Sequence, residues 1–176
     1  MKIKMHIMLD LETMGNNNRA AIIAIGAVAF DINGVVDKFY QQVSLESSVS
    51  AGMQTDTSTI LWWLKQSDAA RSAFDNNESA GCLLSALVEF RNWFNNIDGC
   101  EVWGNGAAFD NAILSFAYGL LKIQQPWKFW NDRCYRTVKN LYPDVEMTRT
   151  GTHHNAVDDA ESQALHLIEI CKQKGI

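Results

Sequence analysis

The sequence predicts an α/β domain built on a mixed β-sheet. Three observations lead there: an apolar strand that meets acidic residues within the first dozen positions, an apolar run followed by a hairpin signal, and a change to helical spacing from Thr57 onward. The 176 residues suit one compact domain, residues 1–176, and no internal repeat or low-complexity linker divides them.

The first strand is expected over Met5–Leu11. Two lysines ahead of it give the start a superficial likeness to a secretion signal, but the apolar run is short and reaches Asp10 and Glu12 at once. Ala21–Phe30 is nearly all apolar, as in a strand buried on both faces. Asp31-Ile32-Asn33-Gly34 supplies a turn, and the partly alternating VVDKFYQQVSL completes a hairpin. Beyond Thr57, residues Ile60, Leu61, Trp63 and Leu64 line one side of a short helix, and Ser67 opens another. Leu83, Leu84, Leu87, Phe90, Trp93 and Phe94 form a broad stripe on a longer helix. The tryptophans are read first as core, with base stacking by Trp62 or Trp63 as the lesser alternative. Gly99 separates that helix from a fourth strand at Glu101-Val102-Trp103, and a helix starting near Phe109 groups Phe109, Ile113, Phe116 and Leu120. Pro126 marks a non-helical stretch. CYRTVKNLY forms a short helix ending before Pro143, residues 144–151 are turn-like, and the final helix runs from about Asn155 to Cys171.

Hydrophobic residues make up 47% of the chain, enough for a sizeable core and against intrinsic disorder. No apolar run reaches the ~18 residues of a membrane helix, so no membrane partner is expected. Cys82, Cys100, Cys134 and Cys171 are scattered without a C-x-x-C pair, which gives a zinc knuckle little support and fits reduced thiols in a cytoplasmic protein. The formal charge of −5 argues against a protein that grips long duplexes through a basic surface. Two divalent cations on four carboxylates would bring the net charge to about −1, compatible with an enzyme holding a few nucleotides near a chain end.

Asp10 and Glu12 are one residue apart, so on a strand they share a face while Leu9 and Leu11 take the other. Two carboxylates so placed repel each other unless a cation lies between them; the alternative is a strand end facing water. Asp110 opens a helix after the glycine-bearing VWGNG, where it either joins a metal site or complements the helix terminus. Asn105 meets a phosphate or sugar, or satisfies its own backbone. In THHNAVDD, Asn155 suits a helix N-cap and Asp158 a capping box, leaving Asp159 to face the sheet. His154 precedes the helix and has the pKa range of a base working near neutral pH. His153 is read as a local brace or phosphate contact. Four hard oxygen donors and an imidazole suit phosphodiester hydrolysis with two magnesium or manganese ions.

These residues resemble the DEDDh branch of the 3'-5' exonucleases, within the ribonuclease H-like superfamily. The motif D-x-E-T matches Asp10-Leu11-Glu12-Thr13; N-x-x-x-F-D matches Asn105 to Asp110; H-x-x-x-x-D matches His154 to Asp159. The three occur in family order and span nearly the whole chain. The resemblance implies a ribonuclease H-like mixed β-sheet flanked by helices. It implies metal ligation by Asp10, Glu12, Asp110 and Asp159, and general-base catalysis by His154. Thr13, Asn105 and Phe109 become candidate substrate contacts. Met14 and Asn16-Asn17-Asn18 depart from the glycine-bearing loop of many relatives. WGNGAAFDNAIL, TSTILWWLKQS and RCYRTVKNL further resemble a compact bacterial and phage branch. That branch carries both exoribonuclease-like and exodeoxyribonuclease VIII-like names.

The function implied is a metal-dependent 3'-5' exonuclease releasing nucleoside 5'-monophosphates from single-stranded RNA or DNA 3' ends. RNA is narrowly preferred, on the branch resemblance alone. The expected cofactors are two Mg2+ or Mn2+ ions, and the expected setting is the cytoplasm of a bacterial cell or phage-infected host. The resemblance implies that close relatives can form dimers, which makes a homodimer a candidate assembly, although no surface in the sequence identifies an interface. The alternatives are an oligoribonuclease acting on very short RNA and a non-catalytic nucleic-acid-binding protein.

Overall fold

A computed structural model describes residues 5–97 and 101–176; Gly99 and Cys100, part of the sequence reading, lie outside the described residues. Five strands form one sheet in the order β3-β2-β1-β4-β5. They are β1 (His6–Thr13), β2 (Ile22–Asp31), β3 (Gly34–Gln42), β4 (Glu101–Gly104) and β5 (Asp132–Cys134). The first three pair antiparallel and β1, β4 and β5 pair parallel, so the sheet is mixed as expected. Helices α1 (Leu45–Ser50), α2 (Thr57–Trp63), α3 (Asp68–Arg71), α4 (Leu83–Asn95), α5 (Asp110–Leu120), α6 (Tyr135–Leu141) and α7 (Ala156–Lys174) complete the chain.

Alternation along the central strands divides the core into two layers. Ile7, Leu9 and Leu11 of β1 and Ile23, Ile25 and Ala27 of β2 join one cluster with Leu87, Phe90, Ile113 and Tyr118 of α4 and α5. Met8, Val28 and Phe30 join the other, with Ala160, Ala164, Leu167 and Ile168 of α7. Each large apolar side chain removed from water contributes roughly 1.5–3 kcal/mol, so both layers are needed to offset chain ordering. Asp10 and Glu12 share the parity of Met8 and therefore lie on the α7 face.

That helix can approach because β2 carries Gly26 opposite Asp10. A Cβ built on Gly26 would stand 2.2 Å from the carbonyl carbon of Ala156 and 2.3 Å from the Val157 nitrogen. Backbone cannot yield at such distances, so only glycine lets the first turn of α7 rest on the sheet beside the β1 carboxylates.

Three departures from the sequence reading have local causes. The third strand stops at Gln42, because Ser44 caps α1 by accepting the Ser47 N–H through its side chain. Cys134, expected to open the helix CYRTVKNLY, instead ends β5, a three-residue edge strand whose Asp132 carboxylate accepts from Trp127 Nε1 and Asn111 Nδ2, at 2.9 and 2.8 Å. Asn155 does cap α7, accepting the Asp158 N–H at 3.3 Å, but the Asp158 carboxylate accepts from Thr152 N at 2.7 Å rather than closing a capping box. Among the described residues no helix is long and apolar enough to cross a membrane, and Cys82, Cys134 and Cys171 are free thiols.

Candidate active site

The four acidic residues singled out in the sequence come together in one cleft of about 250 Å3, which His153 and His154 also line. Oxygen atoms of Asp10, Glu12 and Asp159 lie within 4.8 Å of one another. Glu12, Asp110 and Asp159 are buried, at 7%, 3% and 8% exposure, which removes the reading of Glu12 as part of a wet strand end; Asp10 is half-buried.

Each carboxylate reaches the cleft on a different support. Asp10 and Glu12 leave β1 on the α7 face. Asp110 is the first residue of α5, and its Oδ1 accepts the Leu11 N–H at 3.2 Å, tying the helix start to the strand between the two β1 acids. The close approach requires Gly104, where a Cβ would stand 2.3 Å from Asn111 Oδ1 and 3.2 Å from the Asp110 Cβ. Asp159 sits in the first turn of α7. Its Oδ1 accepts from Arg149 Nη1 at 2.6 Å and its Oδ2 from the His154 N–H at 3.1 Å. Gln163, one turn later on α7, donates through Nε2 to Asp10 Oδ1 at 2.8 Å.

Burial and mutual repulsion act on these groups in the same direction. Glu12 is pushed up to about 8, first by burial and then by the charges of Asp159 and Asp110. Asp10 is raised well above its ordinary value by burial and by Asp110, Glu12 and Asp159, with only the Gln163 hydrogen bond opposing. Burial raises Asp110 to about 7 although the backbone N–H of Leu11 and the nearby Arg136 favour its charged form. Such a cluster can ionise fully near neutral pH when divalent cations join it, and hard oxygen donors of this kind suit Mg2+ or Mn2+. The donor set therefore fits a metal centre.

His154 has a positive φ of 65°, sparsely occupied by residues other than glycine. Its ring stacks on His153 at 3.7 Å between centroids and meets the edge of Trp62 at 4.9 Å. Burial and the neighbouring His153 lower its pKa, while Asp159 works against that shift. The two tryptophans have separate fates. Trp63 is 3% exposed and its Nε1 donates to Thr13 O at 2.9 Å, a core role, whereas Trp62 is 42% exposed beside His154.

Of the three candidate substrate contacts, Asn105 and Phe109 line the cleft. Thr13 is not among its lining residues: its hydroxyl donates to Gly15 O at 2.8 Å and it is 7% exposed, so it closes the turn after β1 instead. Sequence reasoning passed over Gln163, Arg149 and Arg136, all of which line the cleft. Only Gln163 carried a usable signal, its four-residue spacing from Asp159 on one helix face.

The wall facing α7 is held by a buried relay. His166 Nε2 stands 2.7 Å from Val145 O and its Nδ1 2.6 Å from the Tyr135 hydroxyl. A carbonyl only accepts, so Nε2 carries the proton and Nδ1 accepts from Tyr135. This ties α6 and the 143–150 segment to α7.

A mixed sheet with helices on both faces gathers acidic residues beside its central strand, a donor set suited to a metal-dependent nuclease. The chain belongs to the Rv2179c-like family: the family model described as the 3'-5' exoribonuclease Rv2179c-like domain matches residues 5–171. It is thus an enzyme, a 3'-5' exonuclease, of a group that uses divalent metal ions. It is 29% identical over 155 residues to the exodeoxyribonuclease of Enterobacteria phage T4, covering 73% of this chain and 68% of that protein. The fold is similar to the nuclease domain of 3'hExo, a DEDDh family member bound to rAMP, with a TM-score of 0.69 at 16% identity over 98% of this chain and 94% of that one. It is also similar to exonuclease I of E. coli in its complex with single-stranded DNA, with a TM-score of 0.69 at 10% identity, 99% of this chain and 42% of that one being covered.

Proposed function

We propose that the enzyme hydrolyses the 3'-terminal phosphodiester of single-stranded nucleic acid, RNA ahead of DNA, and releases nucleoside 5'-monophosphates. Asp10, Glu12, Asp110 and Asp159 are assigned as ligands of two Mg2+ or Mn2+ ions, and His154 as the general base. The observation that carries this reading is the meeting of four carboxylates from three separate stretches of chain with the His153–His154 pair in a single cleft. The chemistry a divalent pair supplies at such oxygens is charge stabilisation of the attacking and leaving oxygens.

The chain's own residues do the rest. His154, with its pKa below the ordinary histidine value, is neutral at neutral pH and takes the proton from the attacking water. Its backbone N–H on Asp159 fixes the loop that carries it. Asn105 and Phe109, which line the same cleft, receive the terminal nucleotide. The preference for RNA follows the exoribonuclease description of the family; the phage T4 relative, an exodeoxyribonuclease, makes DNA the competing substrate. The setting proposed is the cytoplasm of a bacterium or phage-infected host, with a homodimer as the candidate assembly.

Length-matched RNA and DNA strands labelled at either end, incubated with Mg2+, with Mn2+ or with a chelator, test the assignment. Stepwise loss from the 3' end, abolished by the chelator and faster on RNA, is expected. Release from the 5' end, or turnover indifferent to metal removal, would overturn it; dominant cleavage of DNA would reverse the sugar preference alone.

A further inference from the structure

The cleft has a basic wall that supplies no metal ligand, although Arg136 favours the charged form of Asp110 from a distance. Arg136 and Lys139, three residues apart on α6, project from one side of that helix and line the same cleft as the carboxylates. Arg149, the third cation there, is committed to Asp159. Among the described residues neither Arg136 nor Lys139 has a carboxylate partner within ion-pair distance.

Arg136 is also fixed in place. Its Nη2 donates to Asn105 O at 2.5 Å and its Nε points at Asn105 Oδ1 at 3.5 Å. The guanidinium lies over Gly106, where a Cβ would come within 3.4 Å of Cζ. Nη1 makes no hydrogen bond among the described residues. Helix α6 is itself locked to α7 through Tyr135 and His166. A preorganised guanidinium with one free edge matches a phosphate, and a lysine one turn along adds a point charge.

A nucleic-acid strand entering this cleft brings one negative charge per linkage toward a chain of net charge −5. Metal ions answer only the charge at the reacting linkage. We infer that Arg136 and Lys139 form a phosphate-binding site for the linkage immediately 5' of the one hydrolysed, so that the enzyme recognises two consecutive phosphodiesters at a 3' end. This rests on the exonuclease reading above. It also accounts for RCYRTVKNL, a stretch that supplies none of the metal ligands.

The test combines two chemical changes. One short strand carries its ordinary terminal linkage but a neutral methylphosphonate at the next linkage inward; Arg136→Gln and Lys139→Gln are the protein changes. On the unmodified strand each variant is expected to raise KM about tenfold with kcat largely retained, as loss of a charge-assisted contact in ground and transition state alike requires. The salt dependence should weaken by about one unit of slope per cation removed. The methylphosphonate should slow the wild-type enzyme by a similar factor and the double variant little, because the charge has already lost its partner. Lys139 is exposed, so its variant tests the site even if Arg136→Gln disturbs the Asn105 loop. An unchanged KM in both variants, or an undiminished methylphosphonate penalty in the double variant, would overturn the site while the exonuclease stands. Failure of the wild-type enzyme to release nucleotides from the unmodified 3' end would overturn both.

Discussion

With divalent metal removed by a chelator, the protein is expected to lose stability as pH rises from about 4.5 to 8. Burial and repulsion raise Glu12 from 4.5 to about 8 and burial raises Asp110 to about 7. A carboxyl whose folded pKa lies above its unfolded value favours folding in the protonated form. That stability is complete below the unfolded pKa and disappears as pH rises through the folded one. At ~1.36 kcal/mol per pKa unit, Glu12 alone accounts for about 4–5 kcal/mol across the window. Interacting carboxyls release their protons in shared steps, so the shift of Asp110 is not added to that of Glu12. Against a total of roughly 5–15 kcal/mol, the loss is large. It corresponds to a fall in Tm on the order of 10–20 °C for a domain of this size.

Thermal unfolding followed by circular dichroism in chelator, at steps from pH 5 to 8.5, measures the slope. Excess Mg2+ should restore Tm at the alkaline end, because a ligand that binds only the folded state stabilises it by mass action. Glu12→Gln isolates the cause from other titrating groups. In chelator at pH 8 the variant should melt above the wild type, with a flatter pH dependence and little gain from Mg2+. A variant that melts below the wild type under those conditions would refute the reasoning, as would metal-free wild-type protein that grows more stable from pH 5 to 8.

Three further outcomes are expected. Asp110→Asn and Asp159→Asn should each cut metal-dependent turnover sharply while circular dichroism shows a folded domain; near-native rates in both would reject them as ligands. His154→Ala should slow hydrolysis on the order of 10²–10⁴-fold with metal still bound by calorimetry, and His153→Ala far less; equal severe losses would end the assignment of His154 as sole base. Gly26→Ala should lower Tm, at roughly 1–3 kcal/mol or more for overpacking, and weaken metal binding together with it, since α7 must lift and take Asp159 along. A variant of native stability and metal affinity would show that α7 is not seated by that glycine.

The parts of this site that were legible in the sequence are those governed by neighbours in the chain. The parity of Asp10 and Glu12 against Leu9 and Leu11 follows from the two-residue period of a strand, and the start of α7 at Asn155 from its capping oxygen. What the period does not say is which layer covers each face. That depends on Gly26, sixteen positions from Asp10 in the chain and directly opposite it in the sheet. Helix α1, with LESSVS as its sequence, offers too few apolar residues to show a stripe, and β5 is too short to alternate. Arg149 and Arg136 lie in polar stretches where nothing local separates a cleft residue from a solvated one.

The four carboxylates differ in the hydrogen bonds that support them. Asp10 has Gln163, Asp110 has the Leu11 N–H, and Asp159 has both Arg149 and the His154 N–H. Among the described residues no donor reaches the carboxylate of Glu12, and every cause acting on its pKa pushes upward. A buried acid without a donor is costly to ionise, and the cost persists because β2 pairs with β1 at Glu12 itself, opposite Ala24. The same absence leaves its oxygens free of competing protein donors, as a ligand for a hard cation requires. The fold therefore keeps at Glu12 a position that destabilises the metal-free chain and favours the loaded one, and this is why Glu12→Gln is expected to separate stability from activity more cleanly than a change at the other three acids.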